Sequence, residues 1–462
     1  MLNFTHLHVH STYSILDGMS SISGLVDKAI ACSMHSMALT DHGNMFGIKH
    51  FFDYVCGINK PILKEIEKIE LQLKETLTTH QNEEEFQSLQ GLLSEKRKLL
   101  FKPIFGCEVY VARTTNSNPN GSRFVKEFKE NLSGDHLILL AKNLTGYHNL
   151  CKLVSLAWIE GEYLRPRIDK EILEQYKEGL IVSSACLAGE IHRKIETGKI
   201  EEAKQAIYWF KKVFGDDYYL EFQRHKTNKP GADKTVFERQ QQQNIILWQL
   251  AQETHTKIIA TNDVHFVEEE HAEAHDRLIC LSTGKKIDDT DRMRYSQQEW
   301  LKSPQEMAEL FHDLPEALSN TQEIVDKIEY YNINKNVMMP QFEIPASFGT
   351  EEQYRKTYSE SDLYQEFEPD DTHKGKIENL GGIDKIYRIK LESDYLKELS
   401  LKGARERYGN ELNDEIIERI HFELNVIRDM GFPGYFLIVQ DFIRAARAMH
   451  VTVGPGRGSA AG

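Results

Sequence analysis

The feature that most limits how this chain can fold is a repeated alternation of short apolar runs with helix-patterned sequence. Runs at 37–40, 104–111, 136–141, 180–183, 218–223 and 257–261 have the length and residue types of strands, and 22–32, 150–159 and 199–214 carry apolar residues at helical spacing. Strand-then-helix repetition selects an α/β barrel, with parallel strands as the expectation. In such barrels the chemistry collects at the C-terminal ends of the strands. The stretch 57–101 breaks the rhythm. Ile62, Ile66, Ile69, Leu73 and Leu77, then Phe86, Leu89 and Leu93, recur at helical spacing around a polar 79–85. It reads as an antiparallel helical hairpin inserted into the barrel, its charged faces in solvent.

From about residue 268 the chain turns helical and acidic. A helix pair is expected over 304–328 and an extended segment over 337–345. Between 350 and 408, loop signals (Asp370-Asp371-Thr372-His373, Leu380-Gly381-Gly382) interrupt weak helical patterns. Amphipathic helices follow at 411–430 and 435–449, then 451–462 reads as a strand entering a glycine-rich loop. A length of 462 residues suits two or three domains.

Composition narrows the class. Six cysteines lie far apart with no CxxC pair, which argues against a disulfide scaffold or a zinc ribbon and for the reducing cytoplasm. No run reads as a membrane span, and the first residues lack a basic start, an apolar run and a cleavage site. The formal charge of -15 is unlike a domain that grips duplex DNA along a basic face. Nucleic-acid contacts are then local and few, or lie on sequence not included here.

Side chains two apart on a strand share a face, so His8 and His10, with Asp17 in the following turn, open a metal site. His6, on the same pattern, is left as an ordinary histidine. Further candidates stand beside the expected strand ends: His42, Glu108, His136, Cys186, and Asp263 with His265, which repeat the two-apart spacing. Imidazole suits zinc, iron or manganese, carboxylates bridge ions, and a thiolate biases toward zinc. Nine ligands exceed one ion and fit two or three. Such a cluster ionises water near neutrality and clamps the oxygens of a phosphoryl transfer, so phosphoester hydrolysis is the reaction it suggests.

LHVHSTYSILDG, ALTDHGN, FGCEVYV, DHLILLAKN, SSACLAGE and ATNDVHF resemble the motifs of the PHP (polymerase and histidinol phosphatase) domain. The form they resemble opens the alpha subunits of bacterial DNA polymerase III, the replicative C-family DNA polymerases. YSQQEWLKSPQEMAELFHDLPEALSNTQEI and MGFPGYFLIVQDFI with VTVGPGRGSAAG resemble the start of that family's polymerase core. The resemblance spans nearly the whole chain, with 57–101 and 350–405 as insertions. It implies a PHP-type distorted (β/α)7 barrel over 1–280, then a mainly helical segment over 281–462 leading into the polymerase palm.

The resemblance places the family's ligands on His8, His10, Asp17, His42, Glu108, His136, Cys186, Asp263 and His265, holding two or three divalent ions (zinc, manganese or iron). It also implies metal-dependent 3′→5′ exonuclease activity. The alternative is a catalytically silent domain with structural metals that scaffolds the polymerase and docks a proofreading subunit. Arg224 and His225 are candidates to face a substrate phosphate. Gly456, Arg457, Gly458 and Ser459 form a loop whose backbone N–H groups and guanidinium suit a phosphate; in the family the loop contacts the incoming dNTP. The family's catalytic aspartates follow that loop, so magnesium-dependent DNA synthesis belongs to the full-length protein. Its implied partners are primer-template DNA, dNTP, a proofreading subunit and the sliding clamp.

Overall fold

The computed structural model describes residues 4–79, 83–115, 117–126, 133–335 and 340–454. These form two compact units, Met1–Ile333 and Asn334–Gly462.

The first unit is built on eight strands: β1 (Ser36–Leu39), β2 (Lys102–Val111), β3 (Asp135–Ala141), β4 (Glu162–Tyr163), β5 (Arg165–Ile168), β6 (Leu180–Ser183), β7 (Tyr218–Phe222) and β8 (Lys257–Ala260). Their order is β4-β5-β2-β3-β6-β7-β8, with β1 paired to β2. Residues 6–10 close the sheet. On one side Ala38 N–H donates to His6 O at 2.9 Å and Thr40 N–H to Val9 O at 2.8 Å. On the other, His10 N–H donates to Val264 O at 2.7 Å and Val264 N–H to His8 O at 3.1 Å. The ring therefore runs 6–10, β1, β2, β3, β6, β7, β8, a distorted seven-membered barrel. The closing stretch is extended but forms only a single bridge, Val9 to Val264, rather than a regular strand.

The expectation of uniformly parallel strands fails at β3, which runs antiparallel to both β2 and β6. A parallel return needs a crossover of a dozen or more residues, usually a helix. Among the described residues between β2 and β3 there is no helix, and Asn118 folds a turn by accepting from Ser122 N–H at 2.8 Å. The short ladder of β4 and β5 was not expected from the sequence.

Strand alternation sorts the two faces of the barrel. Outward, Leu39, Phe105, Leu139, Val182 and Leu220 pack against Leu25, Phe51, Leu153, Phe210 and Leu250 of the surrounding helices. Inward, Leu7, Ala38, Ile104, Ile138, Ile181, Tyr219 and Ile259 fill one end of the barrel together with Ile324, Val325 and Ile328. Burying each large aliphatic contributes about 1.5–3 kcal/mol. The helix Pro315–Lys327 thus plugs the barrel, and Leu301, Met307, Phe311 and Leu318 join its outer core. The compact unit accordingly extends to Ile333, beyond the boundary expected at 280.

The inserted hairpin consists of helices Ile48–Thr79 and Glu83–Lys98, tied by Lys96–Glu65 at 2.6 Å and Arg97–Glu70 at 2.8 Å. Its first helix starts upstream of residue 57 and continues through Pro61. The second unit is helical. Leu363, Phe367, Ile377, Ile386, Tyr387 and Ile389 make its core. The stretch expected as loops within weak helices contains the 26-residue helix Ile383–Tyr408, which starts after Gly382 at φ 88°. Asp414–Asp429 and Pro433–Ala448 match the two amphipathic patterns. Residues 340–345 and 451–454 have no regular structure. Gly456, Arg457, Gly458 and Ser459 lie outside the described residues. Among the described residues no helix is long and apolar enough to cross a membrane.

Candidate metal centre

The alternation that points Ile104 and Tyr219 into the barrel also points Glu108 of β2 and Glu221 of β7 inward, toward the end away from the apolar plug. Glu108 sits within β2 rather than at its end. His136 stands at the start of β3, and the antiparallel direction of that strand brings it to the same mouth. His42 follows β1 and bridges to Glu108, Cys186 follows β6, and Asp263 and His265 follow β8. Left-handed backbone at Leu16 (φ 62°), Ala185 (φ 59°) and Asp263 (φ 47°) turns the chain at or beside three of these positions.

All nine side chains converge. His8 Nε2 lies 3.3 Å from Glu108 Oε1 and 3.1 Å from Asp263 Oδ1. His10 Nε2 lies 3.2 Å from the same Asp263 oxygen. Glu108 spans the site: Oε1 is 2.8 Å from His136 Nδ1, and Oε2 is 2.5 Å from His42 Nδ1. Cys186 Sγ is 3.8 Å from His136 Nδ1 and 3.9 Å from Glu108 Oε1. His42 Nε2 is 3.1 Å from Asp17 Oδ2, and His265 Nε2 is 3.9 Å from Asp17 Oδ1. Three overlapping triads bring ligand atoms within 4.8 Å of one another: His10, His42 and His265; His8, His10 and Glu108; His42, Glu108 and His136.

Whether these residues suit cations is tested by their unmet bonding. His8 Nε2, His10 Nε2, His42 Nδ1, Glu108 Oε2, Asp263 Oδ1 and His265 Nε2 are all buried without a hydrogen-bond partner. Buried polar atoms are normally paired, and imidazole nitrogens and carboxylate oxygens that meet only one another, each with a lone pair to offer, are what the ligands of a cation present. The second nitrogens are held. His8 Nδ1 meets Glu221 Oε2 at 3.0 Å, His10 Nδ1 meets Ser14 Oγ at 3.0 Å, and His265 Nδ1 meets the Asp263 carbonyl at 2.8 Å. Ser14 donates its own proton to Asp41 at 2.7 Å, so it accepts from His10. Each of these contacts engages Nδ1 and leaves Nε2 turned toward the cluster, the arrangement an Nε2-bound metal requires.

With no ion bound, burial and charge push these groups in different directions. Burial holds the His10 imidazole down to about 3, aided by His42 and His265, so it is a neutral donor. Burial opposes charging His42, yet Glu108 and Asp17 lift it to about 10. Burial, with Asp263 and Glu108 beside it, pushes the Cys186 thiol well up. Against the cost of burial, the neighbouring imidazoles hold Glu108 and Asp263 well below the usual carboxylate range. A buried group this rich in carboxylate is costly unless cations compensate it.

The remaining candidates separate. His6 turns away and meets the Lys302 carbonyl at 2.7 Å. Arg224 points to the other side of its strand end, paired with Asp313 at 2.5 and 2.9 Å, and does not line the site. His225 does line it, held by Gln240. The sequence reading missed the supports: Glu221, Ser14, and Tyr295 and His275, which hold Asp17 through its Oδ1 at 2.8 Å and its carbonyl at 3.0 Å. The available signal for Glu221 was a carboxylate at an inward position of an apolar strand.

A seven-membered barrel with a His- and carboxylate-rich cluster at one mouth defines a PHP-domain protein, and residues 6–225 match the family described as PHP domain. Residues 394–462 match the family described as bacterial DNA polymerase III alpha NTPase domain. Over 99% of its length the chain is 39% identical to DNA polymerase III subunit alpha of Borreliella burgdorferi, covering 32% of that protein. The Campylobacter jejuni protein of the same name is 36% identical over 100% of the chain, with 33% of its length covered. The Thermus aquaticus one is 32% identical over 100%, with 35% covered. The chain belongs to the family of bacterial DNA polymerase III alpha subunits and spans about a third of the length of these relatives.

Proposed function

We propose that this chain is the N-terminal part of a replicative polymerase alpha subunit whose PHP domain is a multinuclear, metal-dependent phosphoesterase that removes 3′ nucleotides from DNA. The PHP domain is assigned to 1–280 with the hairpin 57–101 inserted, and 281–462 to the start of the polymerase core, of which 281–333 pack into the same compact unit as the barrel. His8, His10, Asp17, His42, Glu108, His136, Cys186, Asp263 and His265 would hold two or three divalent ions, with zinc, manganese and iron as the candidates. The observation that carries this is the set of six buried nitrogen and oxygen atoms that meet only one another. Bound ions would supply Lewis-acid stabilisation of a phosphoryl group and ionisation of water near neutrality. The protein's own part is orientation: Glu221, Ser14 and the Asp263 carbonyl fix the imidazole tautomers, and Tyr295 aims Asp17.

Gly456, Arg457, Gly458 and Ser459 are assigned to the triphosphate of an incoming dNTP in the full-length, magnesium-dependent polymerase. Primer-template DNA, a proofreading subunit and the sliding clamp are its partners, in the cytoplasm. The test is zinc or manganese reconstitution followed by release of 3′ nucleotides from single-stranded DNA. Activity lost in His10→Ala is expected; a metal-loaded chain that hydrolyses no phosphoester refutes the catalytic reading.

One observation favours a second reading, in which the ions are structural and the domain a scaffold. His8 and His10 lie on the very stretch whose backbone closes the barrel. Ions there would clamp that closure, and metal binding would contribute directly to folding. A chain that loses stability but no hydrolysis on chelation would establish it.

A further inference from the structure

The cluster forms the floor of a cleft of about 1010 Å³, more room than one nucleotide needs. Five cations line it: Arg165, Lys234, Arg239, Arg292 and Arg294. Two are neutralised, Arg292 by Asp276 at 2.6 Å and Arg239 by Glu196 at 2.7 Å. The other three have no carboxylate partner among the described residues. Arg165 is exposed and lies over the Tyr110 ring at 5.7 Å, and Arg294 donates only to the carbonyls of Gly231 and Asp289. Lys234 is exposed at the entry of the helix Thr235–Thr254. In a chain of net charge -15, three cations without a carboxylate partner stand around one acidic floor.

Their placement is two-sided. Arg165 belongs to β5, beside β2, and its ring partner Tyr110 reaches toward His136. Lys234 comes from the loop after β7, and Arg294 from the segment after the helix Ala272–Thr283; the two are joined where Asp233 N–H donates to the Tyr295 carbonyl at 2.9 Å, and the Tyr295 ring lies 5.2 Å from that of His265, which follows β8. In the ring of seven, β2 stands three strands from both β7 and β8, as far apart as the ring allows.

We propose that Arg165 on one side and Lys234 with Arg294 on the other grip phosphates flanking the one over the cluster. The site then takes a single-stranded polynucleotide rather than a phosphomonoester. The identity of the reaction rests on the phosphoesterase reading above; the grip does not need the reaction to proceed. An acidic floor repels a polyanion, and cations set on opposite walls offset that only for a ligand carrying several phosphates in a row.

The test is anisotropy of a labelled oligodeoxythymidylate on the full chain across a salt series, with chelator present and then with manganese. The triple variant Arg165→Gln, Lys234→Gln, Arg294→Gln is expected to bind about tenfold more weakly and to lose about 2 from the slope of log affinity against log salt, at about 0.7 per phosphate contact on a single strand. The pair Arg165→Lys and Arg294→Lys is expected to keep the slope. A control triple at Lys60, Lys64 and Lys68 on the exposed hairpin face, each changed to Gln, is expected to leave binding unchanged. Failure of the wild-type chain to bind, an unchanged slope in the rim triple, or an equal loss in the hairpin triple overturns the proposal. Rim-dependent binding without hydrolysis refutes the phosphoesterase and leaves the rim standing; hydrolysis with an indifferent rim does the reverse.

Discussion

Glu221→Gln separates charge from geometry at the centre of this site. Glu221 is fully buried, and its Oε2 meets His8 Nδ1 at 3.0 Å and accepts from Thr261 Oγ1 at 2.7 Å, while Oε1 accepts from Ser183 Oγ. A glutamine can place its carbonyl at the Oε2 position and keep both donors. Its amide group then faces Ser183, whose hydroxyl can turn to accept. What disappears is the negative charge that makes His8 Nε2 a stronger donor. Removing such a partner of a ligating histidine typically weakens metal affinity 10–100-fold, about 1.4–2.7 kcal/mol. Zinc competition against a chromophoric chelator measures this directly. Melting of the chelator-treated variant within a few degrees of wild type would show that the barrel is intact. A variant that holds every ion with wild-type affinity would refute the reasoning, because it would mean that His8 does not bind through Nε2.

Other consequences follow from the same geometry. Chelation should lower the melting temperature of the loaded chain, because ions present at about 1,000 times their dissociation constant contribute about 4 kcal/mol to the folded state; a melting curve indifferent to chelator would mean that no such ions are held. Lys302, with 3% of its surface exposed, is pushed down to about 7 by burial, against the pull of Glu299. Between about pH 7 and 10 the unfolded chain keeps a proton that the native Lys302 gives up, so stability rises with pH through that window by a few kcal/mol. Lys302→Met should flatten this part of the urea-midpoint profile, and a parallel profile for the two proteins would refute it. Gly18→Ala would set a Cβ 2.1 Å from the Ser11 carbonyl, in the turn that carries Asp17. It should cost about 2 kcal/mol or more and weaken metal binding, both read on one chelator titration with melting.

Strand positions were legible because buried strands have their own composition: Leu180–Ser183 coincides with the expected run, and Tyr218–Phe222 and Lys257–Ala260 end one residue short of theirs. Strand direction was less legible. It depends on whether a crossover helix intervenes, and the Asn118-Pro119-Asn120-Gly121 turn signal before β3 was the available clue. The boundary expected at 280 followed a shift in composition. Composition cannot reveal that Ile324, Val325 and Ile328 have nowhere to be buried except the open end of the barrel.

The side chains that meet at the barrel mouth were readable from pattern, since histidines two apart and carboxylates beside apolar runs are local signals. Glu221 and Tyr295 were not, because a supporting side chain is defined by what it touches across the fold: 213 residues separate Glu221 from His8 and 278 separate Tyr295 from Asp17. The same distance in sequence explains the charge. A net -15 argued against a nucleic-acid surface, yet net charge is a sum over the whole chain while a phosphate senses only the few cations within about a Debye length, roughly 10 Å. Arg165, Lys234 and Arg294 are scattered through 130 residues of an acidic sequence and meet only when β5, the loop after β7 and the segment after the helix Ala272–Thr283 surround one cleft. Closure of the barrel by residues 6–10 therefore does two things with one set of backbone bonds. It brings the candidate ligand atoms within reach of one another, and it sets the cations of the proposed grip around them.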